Sequence, residues 1–151
     1  MALSFYESFV DIVSGMDDKE LSGLDRNYLA FYSQRLILYI AHLNKILSLL
    51  LGDAKNSIRE QRSRKGFLSD YVDAAYRLLR TAEQYKRIIS SDKGREIFKE
   101  ELRMKAAEGV LLVVNGLKYN LPLLEPSIYA LEDKTINEKM DFISKKLDSL
   151  L

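Results

Sequence analysis

The chain has 151 residues, 47% of them hydrophobic and 30% charged, with 23 Lys and Arg against 22 Asp and Glu and a formal net charge of +1. A chain of this length buries roughly 70% of the surface that it exposes when unfolded, so a core is available, and near-neutrality leaves no global field to draw it to nucleic acid or anionic lipid. No Cys and a single His exclude disulfides, thiol catalysis, thiolate zinc and iron–sulfur sites, and any centre that needs two imidazoles.

Leu3, Tyr6, Phe9, Val10 and Val13 recur at spacings of three and four, which predicts a short first helix ending near Gly15, with Glu7 and Asp11 on its wet side. From Asp25 to Leu51 the stripe Tyr28, Leu29, Tyr32, Leu36, Tyr39, Ile40, Leu43, Ile46, Leu47 and Leu50 predicts a helix about 40 Å long, closed by Gly52. Phe31, Leu38 and Leu49 lie off that stripe, which suits a helix contacted on two sides by neighbours or by another protein. Asp53 to Gly66 is polar and basic and reads as a loop or an exposed helical extension. A third helix follows on Phe67, Leu68, Tyr71, Val72, Ala75, Leu78, Leu79, Ala82, Tyr85 and Ile89, ending between Ser90 and Lys93.

A fourth helix is expected from about Arg95 to Val114, charged at first and apolar all round in its last two turns, so that its end is covered by the core or by a partner. Asn115-Gly116 signals a turn, and Pro122 and Pro126 argue against a continuous helix over Leu117 to Pro126. Thr135 with Glu138 has capping-box spacing before a last helix on Ile136, Met140, Ile143, Leu147 and Leu150. The sum is an all-α fold, a bundle of four to six helices with two long central helices. It is expected to form a single domain over residues 1–151, with 1–116 as the main bundle and 117–151 as a turn plus C-terminal helix.

No uninterrupted apolar run approaches the roughly 20 residues of a membrane span, and no charged-then-apolar leader opens the chain, so a cytoplasmic protein without membrane contact is expected. No glycine-rich phosphate loop and no Glu-x-x-His element occurs. No cofactor, metal or small-molecule substrate is evident.

Three groups of residues carry candidate functions. Lys55, Arg59, Arg62, Arg64 and Lys65 could clamp phosphates in a non-specific, salt-dependent contact, without the interleaved aromatics that stack bases. Leu111, Leu112, Val114, Leu117, Tyr119, Leu121 and Leu123, together with an excess of nine Tyr, point to an interface with protein subunits of a larger assembly. Arg35 and His42 stand two helical turns apart, an Arg-x6-His spacing similar to the active-site motif of HEPN ribonucleases. That resemblance implies metal-independent RNA cleavage, and its alternative is a structural His among Leu38, Tyr39 and Leu43.

The string Glu20-Leu21-Ser22-Gly23-Leu24-Asp25-Arg26-Asn27-Tyr28, followed by Phe31-Tyr32 and a long helix, resembles the start of archaeal GINS subunits. Ala75-Tyr76-Arg77-Leu78-Leu79-Arg80 and Tyr85-Lys86-Arg87-Ile88 stand where those subunits carry a basic Leu-rich helix. The resemblance spans residues 20–90 and implies a non-enzymatic scaffold that bridges the replicative helicase ring and a RecJ-like partner. GINS subunits usually add a small β-rich domain, for which residues 117–151 have no strand pattern. A second binding class with this size, helicity and lack of Cys is the small helical subunit of CRISPR effector complexes, which stacks along an RNA–DNA duplex.

Overall fold

The computed structural model describes residues 10–60 and 64–150, apart from the side chains of residues 18, 57–60 and 64. It is all-α, with no strand among the described residues and with long central helices, as the apolar periodicity predicts. Residues 10–14 are helical and are followed by α1 (Asp18–Ser22), α2 (Arg26–Glu60), α3 (Arg64–Ser90), α4 (Asp92–Ile97), α5 (Glu100–Tyr129) and α6 (Lys134–Ser149). The chain forms two compact units, Met1–Ala41 with Arg80–Val110, and His42–Leu79 with Leu111–Leu151.

In the first unit, helix starts are set by carboxylates and a hydroxyl that accept from free amide groups. Asp17 accepts from Glu20 N at 2.7 Å, Asp25 from Asn27 N and Tyr28 N at 2.9 and 3.1 Å, and Ser91 from Gly94 N at 3.0 Å. Val13, Leu21, Leu29, Leu36, Ala82 and Ile88 are fully buried. Arg87 ties residues 10–16 to α3 by donating to Val13 O at 2.7 Å and to Met16 O, and Arg80 pairs with Asp11. The expected fourth helix is in fact two, α4 and α5, parted at Phe98 and Lys99. Phe98 is extended and 92% buried, and its N–H donates to Gly94 O at 2.8 Å, so burying the ring breaks the helix there.

Gly94 is required by packing. A Cβ built on it would lie 2.2 Å from Ile88 O and 2.9 Å from Ile89 O, so the start of α4 lies directly against the end of α3.

In the second unit, buried stripes at spacings of three and four run along every helix: Leu43 and Leu47 on α2, Leu68, Tyr71, Val72, Ala75, Leu78 and Leu79 on α3, and Ile136, Met140, Ile143 and Leu147 on α6. Asp73 of α3 accepts from Lys139 of α6 at 2.5 Å, and the Tyr76 and Phe142 rings meet edge-on at 4.9 Å. α6 is capped by Asp133, which accepts from Ile136 N at 3.1 Å, and not by Thr135 as its spacing suggested. That bond, helped by Lys65 at 3.4 Å, holds the Asp133 carboxyl below the usual carboxylate range. Glu132, in the left-handed region at φ 54, turns the chain from α5 into α6.

Three expected helix stops do not occur. α2 passes through Gly52 to Glu60, so the polar segment from Asp53 is a helical extension as far as Glu60. α5 passes through Asn115-Gly116 and both prolines. No glycine among the described residues has a positive φ, and a Cβ at Gly52 or Gly116 would meet nothing within 4 Å, so these glycines are ordinary helical residues. Pro122 and Pro126 are themselves exposed on α5. Each proline costs about 3 kcal/mol, whereas burying Val113, Val114, Leu117, Leu121, Leu124 and Ile128 stabilises by roughly 1.5–3 kcal/mol apiece, so packing wins.

Candidate protein interface

The seven candidate interface residues of α5 fall on two sides of one helix. Val114, Leu117 and Leu121 are 0–2% exposed and belong to the core of the second unit. Leu112, Tyr119 and Leu123 are 73%, 76% and 57% exposed, with Leu111 partly so. The turn expected at Asn115-Gly116 would have separated these residues. The unbroken helix instead aligns Leu112, Gly116, Tyr119, Leu123 and Pro126 in an outward ridge, because steps of four and three residues return to the same side of an α-helix. Gly116 and Pro126, read as punctuation in the sequence, are members of this ridge.

Beside it, α2 and α5 of the second unit flank a groove of about 230 Å³ lined by Asn44, Ser48, Leu51, Gly116, Asn120 and Tyr71 of α3. Asn120 donates its amide to Gly116 O at 2.9 Å. Tyr71 is 99% buried, and burial pushes its phenol up to about 12. In the unfolded chain this phenol ionises near 10.0. The contribution of this phenol to stability is therefore constant below pH 10 and is lost as pH rises from there through about 12, by about 2–3 kcal/mol in all. Denaturant titrations at pH 9 and pH 11.5 test this: Tyr71→Phe should lose less stability between the two than the parent chain does.

The other candidates are dispersed. Arg35 is exposed and lies over the Phe31 ring at 5.1 Å, beside the Tyr28–Tyr32 pair at 4.4 Å. His42 is exposed on α2. Lys55 is exposed, and Lys65 is exposed and paired with Asp133. Arg62 and the side chains of Arg59 and Arg64 lie outside the described residues. No group of three or more His, Cys, Asp or Glu that could hold a metal ion occurs among the described residues.

Phe31, Leu38 and Leu49 of α2, which lie off its buried stripe, are 48%, 62% and 65% exposed. Averaged over a window within Arg26–Asn56, mean hydropathy reaches 1.4 with 22% of the window buried, so α2 is long and apolar enough to cross a membrane by length and composition, although its uninterrupted apolar runs are short. Compared with known proteins, the chain matches no family model, no curated protein and no solved structure.

Proposed function

We propose that the chain is a non-catalytic helical interaction subunit of a multiprotein assembly that handles nucleic acid, in the manner that its resemblance to archaeal GINS subunits implies for a DNA replication factor. The observation that carries this reading is the outward ridge of α5, where Leu112, Tyr119 and Leu123 stand largely in water on one side of a helix whose other side fills the core. Single exposed apolar residues are ordinary, but aligned ones with an exposed aromatic among them mark protein contacts. Lys55 and Lys65 are exposed cationic side chains, Lys65 beside Asp133, and exposed cations of this kind are what a phosphate contact would use.

The test is a tagged purification from the native host at low and high salt, with the parent chain and a Leu112→Asp/Tyr119→Asp variant side by side. Replication helicase components should co-purify with the parent chain and be lost from the variant, while helix content is unchanged. CRISPR proteins with a defined RNA would transfer the scaffold role to that class. Recovery of an RNA-cleaving chain whose activity disappears in His42→Ala would overturn the non-catalytic reading.

A further inference from the structure

We propose that the groove flanked by α2 and α5 in the second unit binds a small, uncharged ring compound that carries an amide, with Tyr71, Asn44 and Asn120 as its hydrogen-bonding residues. The site is additional to the interaction-subunit reading and does not depend on what meets the outward side of α5.

The first observation is a buried hydroxyl without a protein partner. Buried polar groups are nearly always hydrogen-bonded, and a buried Tyr usually finds an acceptor for its O–H. Tyr71 is 99% buried and lines the groove, and among the described residues no group donates to its hydroxyl or accepts from it. Burial alone raises the pKa of this phenol, with no hydrogen bond contributing. If its only task were packing, Phe would serve without the cost of desolvating a hydroxyl.

The walls set the chemical class. Leu47, Val113 and Leu117 are buried and give the groove an apolar side for a ring to lie on. No charged residue lines it, so an ionised ligand would shed water there and find no counter-charge. Ser48 Oγ donates to the Asn44 backbone carbonyl at 3.1 Å, and the Asn120 side chain donates to Gly116 O at 2.9 Å. Among the described residues these bonds leave the whole Asn44 carboxamide and the Asn120 Oδ1 for a ligand. A carboxamide holds a donor and an acceptor side by side and pairs best with a group that does the same. The amide of a ligand is such a group, and its carbonyl can also accept from Tyr71.

Size limits the rest. The groove of about 230 Å³ exceeds the roughly 150 Å³ in which an engineered protein core holds benzene, so one ring with a short polar substituent fits. Gly116 keeps that space open. A Cβ on it would meet nothing within 4 Å, and a longer side chain would occupy the groove.

The test is a titration of the isotopically labelled full chain, followed by proton–nitrogen correlation NMR, with benzamide, benzoate and toluene as probes. Each runs from about 0.1 mM to about 5 mM, which brackets the millimolar dissociation expected of a single-ring ligand. Benzamide should shift the Asn44 and Asn120 side-chain amides and the Gly116 backbone amide saturably, with benzoate and toluene at least about tenfold weaker. Tyr71→Phe leaves no group unpaired, so the chain should fold, bind benzamide about two- to tenfold more weakly, as the loss of one hydrogen bond dictates, and bind toluene unchanged. Asn44→Ala, at an exposed position, should weaken benzamide by a similar factor. Gly116→Leu should fold and abolish binding of benzamide. Benzoate or toluene binding as tightly as benzamide, or Tyr71→Phe binding benzamide as well as the parent, overturns the proposal, and so does a benzamide titration with no saturable shift at these amides.

Discussion

Leu117→Asp is expected to unfold the chain, whereas Leu112→Asp should leave its helix content and thermal stability close to those of the parent. The two residues are five apart on one helix, and the sequence offers both as interface candidates, yet one is 1% and the other 73% exposed. Truncating a buried Leu to Ala typically costs about 2–5 kcal/mol, and a carboxylate at the same place adds the desolvation of an unpaired charge. Against a total stability of about 5–15 kcal/mol, that removes most of the margin. Far-UV circular dichroism and a thermal melt of both variants decide the matter. A cooperatively folded Leu117→Asp protein would mean that the Val114, Leu117, Leu121 stripe is not the inner side of α5.

Gly94→Ala should be the most damaging of the glycine-to-alanine replacements in the chain. Its Cβ would fall on the carbonyls of Ile88 and Ile89, backbone atoms that cannot swing aside, so α4 must move away from the end of α3. The cost is that of overpacking a tight contact, about 1–3 kcal/mol, read as a drop in the urea midpoint. The same replacement at Gly52 or Gly116 meets open space in a helix and should stabilise by about 0.5–1 kcal/mol. Equal effects at all three glycines would contradict the close approach at Gly94.

These contrasts show what was legible in the sequence. The inner stripes of α3 and α6 were, because their apolar residues are interspersed with charged ones and only one side of each helix can be buried; on α2 the stripe was legible from its three-and-four spacing, with Phe31, Leu38 and Leu49 lying off it. The course of α5 was not. Asn115-Gly116, Pro122 and Pro126 each favour a stop locally, and only the buried stripe that continues from Val113 to Ile128 outweighs them. For the same reason the interface list mixed core with surface: α5 is apolar on both sides, and periodicity alone does not say which side turns inward. A compositional signal was present, in that the inner stripe is Val, Leu and Ile whereas Gly, Tyr and Pro stand in the outer one. The helix start at Asp133 was missed because Thr135 and Glu138 offered a competing cap, and only the fold brings Lys65 to the Asp133 carboxylate.

The two compact units are each assembled from separated stretches of chain, and this constrains the order in which the protein can take shape as it is synthesised. The Arg87 bond to Val13 joins residues 74 apart, and the Lys139 bond to Asp73 joins residues 66 apart. The first unit takes its last segment from Arg80–Val110, so it has all its parts once residue 110 has left the ribosome. At that moment the apolar stripes of residues 42–79 lack the segment that completes their unit, because Leu111–Leu151 is still to come. The nascent chain therefore passes through a half-built stage whose exposed Leu and Tyr side chains invite aggregation until the final helices arrive. A chain halted near residue 110 would remain in that stage, which makes the C-terminal forty residues a closing piece for helices made well before them.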